Sequence, residues 1–484
     1  MAGIEAFGAY VPLYRLKREE IARAWGGASQ GGERAVANFD EDSVTMAVAA
    51  AIDCLKDLNR DTVDAVFVAT TTSPYREKLV ATMVASALDL KREVATNDFT
   101  DSLRAGSMAI KAALDAVKAG SAKRVLVVVS DTRIGAPRSE FEQSFGDGAA
   151  AFLVSDQNIA VNVEATYTHA DDILDFWRFR AEDLVKTGDD RLVNHDFIKT
   201  SEDRFVITEG YLTNVQEGVA RLLKRCEVLP KDITKAVFYA PDARRHKEIT
   251  PSLGFDPKTQ VQDALFDRMG NTGAAFAPML LVAALETAKP GDKLLLATYG
   301  DGCDVMLLRT TELIAKAKGK RGIQGHLASK RYINNYEKYM THRSLVSTES
   351  QRRPPLVSSV PILWRDRKWI QSFNGSKCQH CGREFFPPQR ICLYCRTKDK
   401  FDYVRLSDRK GKVFTFNLDN LALSQDAPEI FCRVHLDGDV GFYCRMTDRD
   451  PEQVKIDMPV EMTFRKFHEA GGYNNYFWKC MPVR

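Results

Sequence analysis

Residues 100–132 read "TDSLRAGSMAIKAALDAVKAGSAKRVLVVVSDT", and the order of patterns in this stretch indicates the class of fold. Apolar residues recur at helical spacing over 105–119, and a compact β-branched run follows at 124–132. This predicts a strand-to-helix turn, a helix, and then a buried strand. Helix N-termini carry unpaired N–H groups and the positive end of the helix dipole, and both stabilise thiolates and oxyanions. We therefore expect a functional turn at Ser102 and Leu103, although leucine supplies no nucleophile.

The same alternation of helical and strand patterns extends over residues 1–310. Further apolar runs predict buried strands at 64–72, 149–156, 235–242 and 293–302, and amphipathic segments predict helices at 41–58, 77–90 and 273–288. Such alternation predicts an α/β layered domain with mostly parallel sheets. The succession of helix, strand and glycine turn near 105–130 recurs near 273–302, so we expect two similar halves, at 1–165 and 166–345.

Length and composition limit the class of protein. A chain of 484 residues is too long for one core, so two or three domains are expected. The chain has 44% hydrophobic and 27% charged residues, a composition that excludes disorder for most of its length. Its net charge of +3 does not indicate nucleic acid as the main partner. No apolar run approaches the roughly 18 residues that span a bilayer. The absence of a signal-peptide pattern and six scattered cysteines suit a reducing cytoplasm.

The segment 309–355 differs from the α/β part because it is basic and ends in a Pro-Pro linker. It contains one predicted helix around 330–345. Two interpretations stay open: a solvated arm that joins two domains, or an arm that packs on the α/β core near an anionic ligand such as a nucleotide phosphate. We assign residues 346–374 to a linker with a helix.

Residues 375–400 contain the cysteine pattern C-x2-C-x10-C-x2-C, formed by Cys378, Cys381, Cys392 and Cys395. Each C-x2-C pair can form a knuckle with both sulfurs about 2.3 Å from one ion, and two knuckles complete a tetrahedron. Four thiolates leave no open position on the ion, so the pattern predicts a zinc ribbon with a structural metal. His380 lies inside the first knuckle and is expected to point away from it.

Residues 401–484 contain about five short strand patterns separated by turns, which predicts a small β-barrel of the OB type. OB barrels often bind nucleic acid through aromatic residues on a basic face. These strands carry many acidic residues and show no continuous basic–aromatic stripe. Nucleic acid is therefore not expected as a partner.

Several stretches resemble a known family. "GIEAFGAYVPLYRLKREEIARAWG" (3–26) and "DEDSVTMAVAAAIDCL" (40–55) resemble the start of archaeal-type 3-hydroxy-3-methylglutaryl-CoA synthases, which belong to the thiolase superfamily. The resemblance covers residues 1–345 and continues through 73–88, 175–180 ("DFWRFR"), 210–215, 269–302 and 332–343. The remainder resembles acyl-CoA-associated proteins with a rubredoxin-like zinc ribbon and an OB fold, which usually accompany a thiolase-type enzyme.

This resemblance implies a five-layer αβαβα fold, a homodimer and an acyl-CoA substrate. The family uses a cysteine at a helix N-terminus as acyl carrier, a histidine and an asparagine that hold the second substrate, and a glutamate as acid/base. The cysteine position is Leu103 in "LRAGS", the histidine position is Tyr239 in "FYAPD", and the glutamate position is Thr71 in "TTTSPY". Only the asparagine is kept, as Asn271 in "MGNTG".

Other residues are candidates with alternatives that stay open. A one-residue shift would make Ser102 the nucleophile, and Cys303 is either a second candidate or a packing thiol. Asp301 and Asp304 are possible bases or turn formers. Four residues from pocket-forming segments are candidates for substrate binding, and the tyrosines among them are otherwise core aromatics: Tyr211, Tyr299, Gly300 and Gly302.

The substitutions favour an enzyme that makes or breaks a carbon–carbon bond without a covalent acyl intermediate, in an aldol or retro-aldol reaction of a β-hydroxyacyl-CoA. Tyr239 would supply a proton, and Asn271 a hydrogen-bond donor. One alternative is synthase-type condensation by another arrangement of residues. Another is a non-catalytic protein that binds acyl-CoA or serves as a scaffold. The expected partners are a second copy of the chain and a further thiolase-type enzyme. The motifs "MGNTG" and "YGDG" are kept, which favours a catalytic protein over a non-catalytic one. Which acyl group is accepted depends on the shape of loops such as 184–208, and their conformation does not follow from the sequence.

Overall fold

The computed structural model describes residues 2–177, 199–200, 203–318, 321–346, 356–422 and 424–484. Parts of "DFWRFR" and of the loop 184–208 lie outside the described residues. The chain forms two compact units. Unit 1 comprises Met1–Ala37, Asp42–Thr82 and Arg92–Ser347, and unit 2 comprises Asn38–Glu41, Met83–Lys91 and Thr348–Arg484. Among the described residues, no helix has the length and hydropathy needed to cross a bilayer.

The strands before the ribbon are β1 Gly3–Tyr10, β2 Tyr14–Lys17, β3 Glu33–Val36, β4 Ala65–Ala69, β5 Ala95–Phe99, β6 Arg124–Thr132, β7 Asp147–Ser155, β8 Val161–Ala170, β9 Phe176–Trp177, β10 Lys199–Thr200, β11 Lys235–Phe238, β12 Lys293–Tyr299, β13 Gly302–Thr310 and β14 Arg331–Tyr332. The helices of the same part are α1 Arg18–Trp25, α2 Ser43–Cys54, α3 Val80–Ala87, α4 Ala105–Lys118, α5 Glu140–Ser144, α6 Asp203–Phe205, α7 Thr213–Cys226, α8 Ala243–Ser252, α9 Phe276–Thr287, α10 Ile314–Ala317, α11 Gly322–Ala328 and α12 Tyr336–His342. A π-helical segment, Val206–Leu212, precedes α7, and 3₁₀ turns lie at Arg60–Thr62, Pro230–Asp232 and Gly273–Ala275.

Within the described residues, nine strands of unit 1 form one sheet in the order β11-β12-β13-β8-β1-β7-β6-β4-β5. The expectation of mostly parallel sheets is wrong, because only the pairs β11–β12, β4–β5 and β4–β6 are parallel. The five pairs in the centre of the sheet are antiparallel: β6–β7, β7–β1, β1–β8, β8–β13 and β13–β12. A helix-containing connection returns the chain in parallel, whereas the short connection between β12 and β13 reverses it. The periodicity of a buried strand does not distinguish the two cases.

The sheet consists of two equivalent parts. In the first, the chain order β1, β4, β5, β6, β7 appears in space as β5-β4-β6-β7-β1. In the second, β8, β11, β12 and β13 take the corresponding places, and a parallel bridge between Ala236 and Val261 supplies the edge position. The two parts join through only two residue pairs between β1 and β8, Gly3 with Asn162 and Ile4 with Val161. Together with helices in three layers, this is the thiolase-like αβαβα arrangement.

Two helices occupy equivalent places in the two halves and form the buried middle of unit 1. Every residue of α9 from Phe276 to Leu285 is buried, so the helix is apolar all round, as expected of a helix enclosed by other elements. Its counterpart α4 is less completely buried. At Gly106 a Cβ atom would lie 3.0 Å from both Pro278 and Val129, so glycine permits the close approach of α4, α9 and β6.

Unit 2 contains the helices α13 Val360–Arg365 and α14 Arg367–Ile370, a three-stranded sheet of β15 Asn374–Cys378, β16 Glu384–Phe385 and β17 Phe401–Arg405, and a closed barrel. The barrel strands are β18 Lys410–Asp419, β19 Glu429–Leu436, β20 Val440–Met446, β21 Pro459–Ala470 and β22 Tyr473–Pro482, with a 3₁₀ turn at Pro451–Gln453. Their order, β18-β19-β20-β22-β21, is that of an OB-like barrel. The predicted fold of this region is therefore confirmed.

A buried group of charges lies inside unit 2. Arg465 contacts Asp40 at 3.2 Å and Asp448 at 2.6 Å, and the Lys479 ammonium contacts Asp40 at 2.8 Å. All four side chains are buried. Isolated buried charges are strongly unfavourable, so this pairing ties residue Asp40 to β21 and β22.

Candidate functional site

The turn that opens α4 brings Ser102 and Leu103 to the wall of a cavity of about 320 Å³. Asp101, immediately before them, has φ +69°, a left-handed conformation that reverses the chain sharply between β5 and α4. Leu103 is only 9% exposed, and its side chain belongs to the core while it lines the cavity. The predicted turn is present, and an apolar side chain stands at its reactive position.

Gly300 faces this turn from the end of β12. A Cβ atom on Gly300 would lie 3.0 Å from the backbone nitrogens of Leu103 and Arg104, and φ at Gly300 is +149°. Glycine therefore keeps space open in front of these N–H groups. The Ser102 hydroxyl donates a hydrogen bond to the Gly300 carbonyl at 3.3 Å. No histidine is found among the described residues that line this cavity.

Thr71 lies on the same cavity but its polar groups are engaged by a buried carboxylate. Its hydroxyl donates to Asp131 at 2.9 Å and its backbone N–H donates to Asp131 at 2.7 Å. Asp131 also accepts a hydrogen bond from the Ala274 N–H at 2.8 Å, at the 3₁₀ turn that leads into α9. Arg133 lines the cavity and donates to the Thr71 hydroxyl at 3.4 Å. Asp131 thus connects the turn before α9 with the Thr71 loop.

Asn271 and Tyr239 are hydrogen-bonded to each other and both are buried. The Asn271 side-chain N–H donates to the Tyr239 hydroxyl at 3.2 Å and to two backbone carbonyls, those of Ala240 and Pro241. Its side-chain carbonyl accepts from the Gly273 N–H at 2.9 Å. Burial raises the pKa of Tyr239 to about 12, although Arg133 and the Asn271 hydrogen bond favour the phenolate. The phenol is therefore protonated at neutral pH.

Tyr211 and Tyr299 complete an aromatic cluster around Tyr239. The Tyr211 hydroxyl donates to the Tyr239 carbonyl at 2.8 Å, and its ring packs edge-on against Tyr299 with centroids 5.6 Å apart. The Tyr299 hydroxyl is buried without a hydrogen bond of good geometry among the described residues. Burial, and then the charge of Asp175, raise the pKa of Tyr299. A Cβ atom on Gly210 would lie 2.6 Å from that hydroxyl, so glycine is needed for this approach.

Of the remaining candidates, only Asp301 lines the cavity among the described residues, and the others make structural contacts. Gly302 begins β13 and pairs with Ala170. The Cys303 thiol is buried, and burial raises its pKa, which disfavours the thiolate. Asp304 is held in an ion pair with Arg104 at 3.1 Å and accepts from the Ser107 hydroxyl at 2.6 Å.

Sequence reasoning missed Arg133 and Asp175, both of which are buried and line the cavity. Asp175 is the first residue of the motif "DFWRFR", which belongs to the stretches that carry the family resemblance and which could have identified Asp175 as a candidate site residue. A carboxylate and a guanidinium in the wall of one cavity are the group types that move protons and hold anions. The structure therefore brings Thr71, Ser102, Leu103 and Gly300 together and adds these two charged residues.

A second cavity of unit 1 has a volume of about 630 Å³. Pro241, whose carbonyl accepts from Asn271, contributes to its wall. Three arginines line it: Arg18, Arg244 and Arg245. The guanidinium of Arg18 is used by backbone carbonyls, those of Gln143 at 2.7 Å and Gly31 at 2.6 Å, and its pKa is lowered to about 10 by burial. Arg244 and Arg245 line this space at the start of α8, where Arg245 is paired with Glu248 at 2.6 Å, and three carboxylates also line it: Glu140, Asp242 and Asp267.

The four ribbon cysteines of unit 2 converge as predicted, with their sulfur atoms all within 4.8 Å of one another. The Cys378 and Cys395 sulfurs are 3.6 Å apart, and those of Cys381 and Cys392 are 3.5 Å apart. Four sulfurs around one zinc ion at 2.3 Å would be about 3.8 Å apart. The donor set and its geometry fit zinc in a closed, structural site.

Models of known protein families match three parts of the chain. The model "3-oxoacyl-[acyl-carrier-protein (ACP)] synthase III" matches residues 98–171, and the model of its C-terminal part matches residues 223–308. The model "ChsH2, C-terminal OB-fold domain" matches residues 403–465. These segments fall on the two halves of the large sheet and on the barrel.

Curated relatives and solved structures agree with the fold. Hydroxymethylglutaryl-CoA synthase of Caldivirga maquilingensis is 33% identical over 356 residues, which cover 71% of this chain and 98% of the relative. The same enzyme of Methanopyrus kandleri is 30% identical over 348 residues, which cover 70% and 95%. A structure of HMG-CoA synthase complexed with CoA matches with a TM-score of 0.61 and 20% identity, covering 70% of this chain and 90% of that one. MvaS in complex with 3-hydroxy-3-methylglutaryl coenzyme A matches with a TM-score of 0.61 and 22% identity, covering 73% and 94%.

Proposed function

The chain belongs to the hydroxymethylglutaryl-CoA synthase family, and from this premise we propose that it acts on a coenzyme A thioester and makes or breaks a carbon–carbon bond without acylating its own side chain. The observation that carries the second part is Leu103, which stands at the N-terminus of α4 on the wall of the 320 Å³ cavity. A hydrocarbon side chain cannot attack a thioester, so the acyl-enzyme route is closed at this position.

The reaction that remains is an aldol cleavage or addition at the β-carbon of an acyl-CoA. In the cleavage direction, Asp175 accepts the proton of the β-hydroxyl group. The bond between C2 and C3 then breaks, C3 becomes a carbonyl carbon, and the electron pair forms the thioester enolate. Tyr239 donates a proton to C2, and the proton on Asp175 returns to the Tyr239 phenolate through solvent. The products are a shorter acyl-CoA and an aldehyde or ketone.

Local geometry supports these roles. The Leu103 backbone N–H faces the space that Gly300 keeps open and can hold the enolate oxygen. Tyr239 retains its proton at neutral pH, and its oxygen already accepts a bond from Asn271, which leaves the proton available for donation. Arg133 lines the cavity and interacts with both Thr71 and Tyr239. In this proposal Thr71 positions Arg133 instead of acting as the acid/base.

Coenzyme A itself would be bound through its phosphates in the 630 Å³ cavity, where Arg244 and Arg245 supply cations. Pro241 lines that cavity and accepts a hydrogen bond from Asn271, so we propose that the thioester arm passes the Asn271–Tyr239 pair on its way to the Leu103 cavity. Zinc would be bound by the four ribbon cysteines and would stabilise the ribbon of unit 2.

A second candidate is synthase-type condensation, and one observation favours it: the relatives that match over nearly their whole length are synthases. It would require Ser102 as the acyl carrier. The hydrogen bond from the Ser102 hydroxyl to the Gly300 carbonyl, and a cavity wall without a histidine among the described residues, argue against an activated serine.

The test is intact-protein mass spectrometry after incubation with acetyl-CoA. We expect no acetyl adduct on the wild-type chain and a mass increase on Leu103→Cys, because that variant restores a thiol at a helix N-terminus. Met108→Cys, an exposed position on the same helix, is the matched control for nonspecific acylation. An adduct on wild-type Ser102 would establish the synthase candidate, and failure to turn over any β-hydroxyacyl-CoA while CoA still binds would support a non-catalytic protein.

A further inference from the structure

We propose that the outer surface of the barrel strands β18, β19 and β20 binds single-stranded nucleic acid. The strand order makes β19 and β20 the second and third strands of an OB-like barrel. In OB folds, the outer surface of these two strands is where oligonucleotides bind. This surface, which we call the aromatic–basic face, consists of Lys412, Phe414, Phe431, Arg433, His435, Tyr443 and Arg445.

Aromatic rings are presented to solvent on this face. Tyr443 is 66% exposed and Phe414 is 53% exposed. The Phe414 ring stacks on His435 with centroids 4.6 Å apart and planes 5° from parallel, and the Phe431 ring lies nearly parallel to Tyr443 at 6.1 Å and 9°. Bases of any sequence can stack on exposed rings of this kind.

The charge of the face complements a phosphate backbone. Residues 410–417, 431–435 and 441–445 contain two Lys, two Arg and one His but no Asp or Glu. Glu429 pairs with Arg445 at 3.5 Å at one edge. Among the described residues, Lys412 and Arg433 have no ion-pair partner, so their charges are available to a ligand.

Rings and cations alternate across the strands in register. Arg433 lies opposite Tyr443, and Phe431 lies opposite Arg445, in the antiparallel pairing of β19 with β20. The guanidinium of Arg433 also lies 5.7 Å from the Phe414 ring centroid. Gly441 leaves the Arg433 guanidinium uncovered, since a Cβ atom there would lie 3.3 Å from its Nη2. Such alternation places phosphate-binding and base-stacking groups side by side.

The same exposure could reflect a protein partner, but the composition favours nucleic acid. Protein–protein interfaces are enriched in aromatic residues and Arg but depleted of Lys, so the exposed Lys412 is the residue of this face that favours nucleic acid. A duplex would not offer unstacked bases to the rings, so the expected ligand is a single strand of roughly 4–16 nucleotides, the site size of an OB fold.

The experiment is fluorescence anisotropy of the full chain with a fluorescein-labelled oligo(dT) 12-mer, measured at several salt concentrations. We expect binding that weakens with salt, and a loss of about tenfold or more in affinity for Tyr443→Leu and Phe414→Leu, because stacking is removed while apolar character is kept. Arg433→Gln should reduce the slope of log K against log salt by about 0.7 for the phosphate it contacts.

Matched controls are Tyr403→Leu, an equally exposed tyrosine on β17, and Lys455→Gln, an exposed lysine outside the face. Neither control should change binding, and thermal unfolding of each variant should match the wild type. The proposal is overturned if the 12-mer does not bind at low salt, or if face and control variants lose affinity equally. It is also overturned if Phe414→Leu alters only the oligomeric state in size-exclusion chromatography, which would identify a protein interface.

Discussion

At the residue scale, the side chain at position 103 decides which reactions the scaffold can perform. The turn, the helix N-terminus and the facing Gly300 are all present around Leu103. The proposed loss of the nucleophile depends on the hydrocarbon side chain of Leu103 alone. The resemblance predicts this substitution, but the sequence did not show that Thr71 is hydrogen-bonded to the buried Asp131. That contact is between residues 60 positions apart, and no local pattern encodes it.

Tyr239→Phe tests the proposed proton donor. We expect cleavage of a β-hydroxyacyl-CoA to fall at least about 100-fold in kcat, in line with the usual contribution of general acid catalysis, while the Kd for CoA is unchanged. Tyr167→Phe, on β8, is the matched control and should retain full activity. Unchanged turnover in Tyr239→Phe would remove this phenol from the mechanism, and a parallel loss in CoA affinity would indicate a structural role.

At the element scale, hydrophobic periodicity located the elements well but not their direction. The predicted helix at 105–119 is α4, and the one at 273–288 contains α9. The predicted helix around 330–345 is shorter, and α12 covers Tyr336–His342. Five of the eight strand pairings of the large sheet are antiparallel. Two of them join consecutive strands, β6–β7 and β12–β13, and the other three join strands distant in the chain, whose direction no local periodicity encodes.

At this scale the barrel places aromatic and basic side chains next to one another on its outer surface, although its strands show no continuous basic–aromatic stripe in the sequence. Each of three strands contributes two or three outward residues, and the pairing of β18 with β19 and of β19 with β20 brings them together. In the linear sequence they are separated by inward-facing apolar residues and by acidic turns. An aromatic–basic surface on a barrel therefore does not require a continuous stripe of such residues along the chain.

Asp40→Asn tests the buried charge cluster that ties residue 40 to β21 and β22. Burial opposes ionisation, but Lys479 and Arg465 outweigh it and lower the pKa of Asp40 from 3.8 to about 2. Because the folded-state pKa is depressed, this stabilisation is present above about pH 4 and is lost as the pH falls towards about 2. The shift corresponds to about 2 kcal/mol. Removing the carboxylate should cost about 3 kcal/mol, because the buried Lys479 then loses its ion-pair partner, whereas Arg465 keeps Glu41 and Asp448.

Hydrogen exchange of β21 and β22 peptides, followed by mass spectrometry, measures this effect. Asp40→Asn should raise the exchange rate of these strands at pH 7, and in the wild type exchange corrected for its intrinsic pH dependence should rise between pH 4 and pH 2. Asp437→Asn, an exposed carboxylate of the same barrel, should leave both unchanged. Equal exchange in the two variants would show that the cluster contributes no net stability.

At the scale of the whole molecule, the chain consists of a thiolase-like unit and a second unit with a ribbon and a barrel. The division into five segments at 165, 345, 374 and 400 remains a prediction, as does a homodimer of the thiolase-like part. Each unit is compact in itself, so we expect that a change confined to one unit alters the stability of that unit alone.

Metal removal distinguishes the two units. A chelator that removes zinc, or Cys378→Ser, should unfold the ribbon strands β15–β17, because apo ribbons of this size lack a sufficient core. Limited proteolysis should then cut within 375–405, while peptides of α4 and α9 keep their protection. Cys226→Ser, a half-buried cysteine far from the ribbon in sequence, is the control. Resistance of the ribbon to proteolysis after complete chelation would contradict a structural metal.

By itself, the sequence determined the layered α/β class and the cysteine ligand set, because these depend on local periodicity and short spacing. It also predicts two similar halves and the loss of the nucleophile, the latter from a single residue in a motif. Only the tertiary structure decided the mixed direction of the sheet, the enclosure of Asp131 by the Thr71 loop, the entry of Arg133 and Asp175 into the Leu103 cavity, and the assembly of the aromatic–basic face. These features arise where strands and loops distant in the chain meet, and the free energy of burying and pairing their side chains depends on neighbours that no short stretch of sequence contains.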